Sequence, residues 1–226
     1  MSETKSALSQ LSWVLQISFN STLIYVRLII DLQNDYFPGE AFPLNNTEST
    51  LCSIVKVIGK AKGKGIPVVL VQHVTDPTHG IVPFFNKNSE GVKIHSKILT
   101  EASDAPIIIK HFADSFEDTK LHETLQQLNV DELILCGMMT QNCVTHTTLS
   151  RRADDYKKVT VLTDVSITVS EMLHRIALHA LSTCVALTLS EDILNSHQIW
   201  HIAIPDSGLY CYSKWKICVR LNYTLT

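Results

Sequence analysis

The chain has 226 residues, 45% of them apolar, and a formal charge of −3. That length and composition suit one globular domain with a substantial core and exclude a disordered chain. The charge is small, mixed in sign and free of a basic stripe, which argues against nucleic acid or an anionic membrane as partner and for a small-molecule substrate.

In chain order, residues 1–23 come first. Lys5 precedes a moderately apolar stretch from Leu8 to Leu23 that Ser9, Gln10, Ser12, Gln16, Ser18, Asn20 and Ser21 interrupt. It is too polar for a membrane span, which needs about 20 mostly apolar residues. We read it as an amphipathic N-terminal extension, with a cleaved signal peptide as the alternative. Six apolar, β-branched runs then recur, at Leu23–Ile30, Pro67–Gln72, Pro106–Ile109, Glu132–Cys136, Lys158–Leu162 and Thr183–Leu189. Helical spacing separates them: Leu51, Ile54, Val55 and Ile58 follow the i, i+3, i+4, i+7 rule, and Leu121, Leu125 and Leu128 repeat it. Alternation of this kind predicts an α/β fold, a three-layer α/β/α arrangement around a Rossmann-like, mostly parallel six-stranded sheet built by right-handed crossovers. The connection from His73 to Ala105 is long for a compact domain and carries Phe84, Phe85, Asn86, Gly91 and His95, so it is read either as a pocket wall or as a surface excursion packed by its own aromatics. After Asn195 the pattern breaks down. Residues 24–195 are the predicted domain, and 196–226 a C-terminal extension, rich in Tyr and Trp, that could pair as a strand, cover a neighbouring subunit or have no chemical role.

The six cysteines form no C-x-x-C pair and no zinc-like spacing, which points to a reducing, cytoplasmic compartment. Glycosylation triplets at Asn20, Asn45 and Asn222 stand against this, but such triplets arise by chance.

Three segments carry candidate chemistry. The run Leu133-Ile134-Leu135-Cys136 ends at Gly137, a polar turn follows, and a helical pattern begins near Cys143. A thiol at a helix N-terminus meets the positive end of the dipole, which favours the thiolate. Asp31 directly follows the apolar run Ile29-Ile30, and Lys110 follows Ile107-Ile108-Ile109. Carboxyl ends of parallel strands line one crevice, so residues far apart in sequence can meet there. Taken singly, Cys143 reads equally as a buried structural cysteine, Asp31 as a helix cap and Lys110 as a solvated charge. Together at three strand ends they are harder to dismiss. His146, three residues beyond Cys143, suggests packing or hydrogen bonding rather than proton transfer.

With these residues in view, the chain resembles the isochorismatase-like cysteine hydrolases, which include nicotinamidases, carbamoylsarcosine amidases and ureidoacrylate amidases. The resemblance rests on Leu28-Ile29-Ile30-Asp31-Leu32-Gln33-Asn34-Asp35-Tyr36-Phe37-Pro38-Gly39, on Ile109-Lys110 followed by Asp114-Ser115-Phe116, and on Cys136-Gly137-Met138-Met139-Thr140 ahead of Cys143-Val144. It implies a catalytic triad of Asp31, Lys110 and Cys143, an oxyanion hole made by the backbone N–H groups of Met139 and Cys143, a cis Met138–Met139 peptide and a homo-oligomer. Phe37, Phe85 and Phe116 are candidates for a planar substrate wall, with core packing as the competing role for each. Nicotinamidases of the family bind a metal through an Asp-x-His motif after the second strand, but this chain reads Val71-Gln72-His73-Val74-Thr75-Asp76. No metal and no cofactor are therefore expected, although His73, His79 and His95 could form a site if the loop folded favourably. Glu40 also stands where relatives often carry a second glycine. The resemblance implies C–N bond cleavage in a small amide, ureido or carbamoyl compound through a thioester. Vinyl-ether hydrolysis of an isochorismate-like compound, and an idle binding protein on the same fold, are the alternatives.

Overall fold

A computed structural model describes residues 24–76, 78 and 83–195. The extension at 1–23, the tail at 196–226 and His79 lie outside the described residues. The elements are β1 (Tyr25–Ile30), α1 (Thr47–Gly63), β2 (Val68–His73), α2 (Ser96–Glu101), β3 (Ile107–Lys110), α3 (Leu121–Gln127), β4 (Glu132–Met138), α4 (Thr145–Thr148), β5 (Lys158–Ile167), α5 (Glu171–Ser182), β6 (Ala186–Thr188) and α6 (Ser190–Asn195). The six strands form one parallel sheet in the order β3-β2-β1-β4-β5-β6.

The pleat sorts the apolar runs into two cores. Ile29, Leu70, Ile134 and Cys136 point to one face, where Leu51, Ile54 and Ile58 of α1 cover them. Val26, Leu28, Ile30, Val69, Val71, Leu133 and Leu135 point to the other, under Leu121 and Leu125 of α3 and Leu181 of α5. A sheet covered on both faces needs strands apolar at nearly every position, which is why these strands read as continuous runs rather than as alternation.

The chain winds outward from β1 through β2 to β3, then returns to place β4 against the other edge of β1. The reversal opens a crevice between the carboxyl ends of β1 and β4, where doubly wound sheets bind ligands. Gly137 makes the approach of these strands possible. Its φ is +128°, and a Cβ there would lie 2.1 Å from the carbonyl oxygen of Ile30. Backbone blocks the side chain, and the backbone in question leads directly into Asp31. Gly137→Ala should therefore cost more than about 1 kcal/mol and displace Asp31. Urea unfolding of the two proteins checks this, and equal midpoints would contradict it.

The strand ends shift by one or two residues from the sequence reading in β1 to β4, and three differences are larger. β5 continues past Leu162 to Ile167, because a register shift between Leu135 and Gly137 lets Ser166 and Ile167 pair again beyond the polar Thr163-Asp164. β6 shrinks to Ala186–Thr188. The connection between His73 and Ala105 contains α2, whose first turn is capped by His95 as its Nδ1 accepts from the Lys97 N–H at 3.2 Å. That connection is tied down by Asp35. The Asp35 carboxylate accepts the Phe85 N–H at 2.6 Å, its N–H donates to the Gly91 carbonyl at 2.9 Å, and a Cβ on Gly91 would collide with the carboxylate.

Candidate active site

Asp31, Lys110 and Cys143 meet at the crevice. Asp31 leaves β1 in the left-handed region, with φ at 54°, a conformation that Asp tolerates better than most residues. Its N–H still donates to the Val71 carbonyl at 3.0 Å, so the turn is pinned to β2 as the side chain swings over the sheet edge. Lys110 ends β3, and its Nζ reaches Asp31 Oδ2 at 3.0 Å and Cys143 Sγ at 3.1 Å. Asp31 and Lys110 are fully buried, and Cys143 is 2% exposed.

Cys143 does not open an α-helix. Thr140–Val144 is a single π-helical turn, and α4 begins only at Thr145. The Met139 carbonyl accepts the N–H groups of Asn142 and Val144, on either side of Cys143, at 3.0 and 3.2 Å. Two further bonds hold the turn: the Thr145 hydroxyl donates to the Thr140 carbonyl at 2.6 Å, and Thr140 Oγ1 lies 2.9 Å from His174 Nδ1 of α5. The Met138–Met139 peptide is cis. His146 is exposed, with Nδ1–H donating to the Asn142 carbonyl at 2.9 Å, which agrees with leaving it out of the chemistry.

The surroundings of Cys143 oppose the expected thiolate. Burial and the neighbouring Asp31 carboxylate push the Cys143 thiol up to about 12, and the Lys110 ammonium offsets only part of this. Burial opposes the charge on Lys110, but Asp31 and Cys143 outweigh it and leave the lysine pKa raised. Burial and the nearby Asp31 thus favour the thiol form of Cys143, while Lys110 holds its proton more tightly than a free lysine. A single π turn brings little dipole to the sulfur, while a carboxylate within 4.8 Å brings a full charge.

Sequence reasoning did not place His73 in this cluster. The last residue of β2 has Nδ1 3.0 Å from Lys110 Nζ, and the same ammonium donates to the Phe112 carbonyl at 3.1 Å. Burial and Lys110 lower the His73 pKa to about 4, so the ring is neutral. Gln33 fixes it in place: its Oε1 accepts the His73 N–H at 2.7 Å, and its Nε2 donates to the His73 carbonyl at 2.8 Å. Tyr36 was also missed. It is buried, and burial, Asp31 and Cys143 together hold its phenol pKa well above the ordinary value.

The three aromatic candidates separate. Phe85 packs 4.7 Å from Tyr36 and 5.8 Å from the His73 ring. Phe37 packs 4.6 Å from His95, and Phe116 shares Cys143's core, 6.1 Å from Tyr156. Neither Phe37 nor Phe116 stacks on the trio's immediate neighbours as Phe85 does.

Asp31, His73 and Cys143 present ligand atoms within 4.8 Å of one another, a spacing that could suit a metal ion. They do not fit one here, because Lys110 Nζ lies 3.0–3.1 Å from all three and its ammonium already takes the cation's place. His95 is committed to capping α2.

The isochorismatase domain matches residues 25–192. This chain belongs to the isochorismatase family. An uncharacterized family protein of Bacillus subtilis is 39% identical over 123 residues, covering 54% of this chain and 67% of that protein. A probable inactive nicotinamidase of Arabidopsis thaliana is 27% identical over 161 residues, covering 65% and 82%. The crystal structure of a putative isochorismatase hydrolase from Oleispira antarctica superposes with a TM-score of 0.67 at 29% identity, over 77% of this chain and 98% of that one. The chain is thus an isochorismatase-family hydrolase by descent and by fold.

Removing the ammonium tests the cluster's electrostatics. Lys110→Met leaves the fully buried Asp31 carboxylate without its cation, and breaking a buried pair in this way costs about 3–5 kcal/mol. We expect a clear drop in thermal midpoint, partly restored in the double variant with Asp31→Asn, because the second change removes the orphaned charge. A double variant less stable than Lys110→Met alone would contradict the pairing.

Proposed function

We propose that the protein is a metal-independent cysteine hydrolase that cleaves the C–N bond of a small amide, ureido or carbamoyl compound through a thioester on Cys143. The observation that carries this reading is a buried thiol 3.1 Å from an ammonium and within 4.8 Å of a carboxylate. As Cys143 Sγ attacks the carbonyl carbon, its proton passes to Asp31 and the carbonyl π electrons move onto oxygen. Lys110 stabilises the charge gathering on sulfur. The backbone N–H groups of Met139 and Cys143 are the proposed donors to the oxyanion. When the tetrahedral species collapses, the C–N bond breaks, Asp31 returns its proton to the departing nitrogen, and a thioester remains. Water then attacks with Asp31 as base and releases the acid and the free thiol.

Asp31 suits both duties. Neither of its oxygens has a hydrogen-bond partner among the described residues, only Oδ2 is paired with the Lys110 ammonium, and the carboxylate lies within 4.8 Å of the sulfur. Family members that hydrolyse vinyl ethers need no cysteine nucleophile, and a cysteine placed within this ion pair favours the amide reaction. The idle-protein reading finds its support in the plant relative named probably inactive. A screen of primary amides and ureido acids by ammonia release separates them. We expect release from at least one compound, persisting after dialysis against a chelator. Silence across the panel would favour the idle reading, and loss on chelation with recovery on adding zinc would overturn metal independence.

A further inference from the structure

Lys110 Nζ has three N–H groups and four acceptors within 3.1 Å, one of them His73 Nδ1. An ammonium has no lone pair, so Nδ1 must be the acceptor in that contact, and a neutral imidazole that accepts at Nδ1 carries its proton on Nε2. The tautomer follows from the lysine. Nε2–H makes no hydrogen bond among the described residues, and the residue is only partly buried, in a cluster otherwise closed to solvent. Gln33 holds the His73 backbone from both sides, and the Phe85 ring lies 5.8 Å from the imidazole, so the donor has a fixed position.

We propose that His73 is a specificity-determining residue whose Nε2–H binds a second acceptor group of the substrate, an oxygen two to four bonds from the scissile carbonyl carbon, as in the monoamide of a short dicarboxylic acid or a ureido acid. This rests on the amide-hydrolase reading above. The scissile oxygen itself goes elsewhere, because the proposed oxyanion donors follow β4 while His73 ends β2, with β1 between them. A ring nitrogen of His73 lies within 4.8 Å of both Cys143 Sγ and an Asp31 oxygen, so one small substrate can touch the imidazole and the nucleophile together. The histidine does not shuttle protons: a ring kept neutral by burial and by Lys110 donates a hydrogen bond and retains its proton.

The test compares a dicarboxylic monoamide with a simple aliphatic amide of equal length, in wild type, His73→Asn and His73→Gln. The Asn side chain keeps an acceptor near the Nδ1 position and loses the distal donor, whereas Gln reaches the Nε2 position. We expect wild type to prefer the monoamide at least about tenfold in kcat/KM, the scale of one hydrogen bond. His73→Asn should lose that preference through KM, and His73→Gln should keep the ratio. A ratio unchanged in His73→Asn, or lost only in His73→Gln, would reduce His73 to a support for Lys110 and overturn the proposal. Nitrogen-15 spectra give a readout independent of turnover. The His73 proton should sit on Nε2 and not titrate between pH 5 and 8, and Nδ1 protonation would refute the assignment. Should wild type hydrolyse neither compound, the amide reading fails by itself. In that event, a His73 Nε2–H resonance that shifts on adding the monoamide supports the site, and one that does not shift overturns it.

Discussion

Cys143→Ala is expected to lower hydrolysis by about 10⁴-fold or more, because no other group in the site can form the covalent intermediate. The fold should survive. The sulfur is a small part of the core that also holds Val144, Leu135 and Phe116, and its loss should cost only about 1 kcal/mol. Circular dichroism and a thermal melt would report the fold while ammonia release reports the activity. Activity within a few-fold of the parent would mean that water is activated directly and that the cysteine is structural.

Asp31→Asn should also abolish hydrolysis, by roughly 10²–10⁴-fold, the usual worth of a positioned acid-base group. Its second effect runs the other way. In the parent, burial and Asp31 raise the thiol pKa to about 12 and Lys110 lowers it. Removing the carboxylate deletes a raising influence and leaves a buried ammonium without an anion, which the thiol can supply by ionising. The pKa of Cys143 must therefore fall, and the pH profile of its alkylation by iodoacetamide must move to lower pH. A fall of about one unit makes alkylation near pH 8 about tenfold faster, since one unit is a factor of ten in thiolate population. The variant would be a poorer enzyme with a more reactive cysteine. A profile that stays in place or moves to higher pH would remove Asp31 from contact with the sulfur. In the parent, the neutral buried thiol should react more slowly than the exposed Cys52, which reverses the order suggested by a helix-activated thiolate.

The layered fold and two of the three trio positions could be read from the chain because both rest on local pattern. Apolar runs that stop at Asp31 and Lys110 mark strand ends, and parallel sheets gather strand ends at one edge. The end of β5 was hidden because Thr163-Asp164 looks like a terminus unless the bulge opposite Leu135 and Gly137 is known. The six-residue α2 is shorter than two helical turns and leaves no periodic trace. His73 stood as a lone histidine after a strand, a pattern shared by metal ligands, caps and solvated side chains; only the position of Lys110 Nζ separates these. The protonation balance of Cys143 is hidden for the same reason. It depends on the burial of Cys143 and its distance from Asp31, two quantities that spacing along the chain does not contain.

The central claim is a thioester on Cys143, and acid quenching during turnover of a hydrolysed amide, followed by peptide mass mapping, tests it most directly. The account predicts that the peptide bearing Cys143 gains the mass of the substrate's acyl group, that the adduct decays once substrate is exhausted, and that none forms in Cys143→Ala. Steady turnover with no acyl mass on that peptide, together with residual hydrolysis in Cys143→Ala, would contradict it.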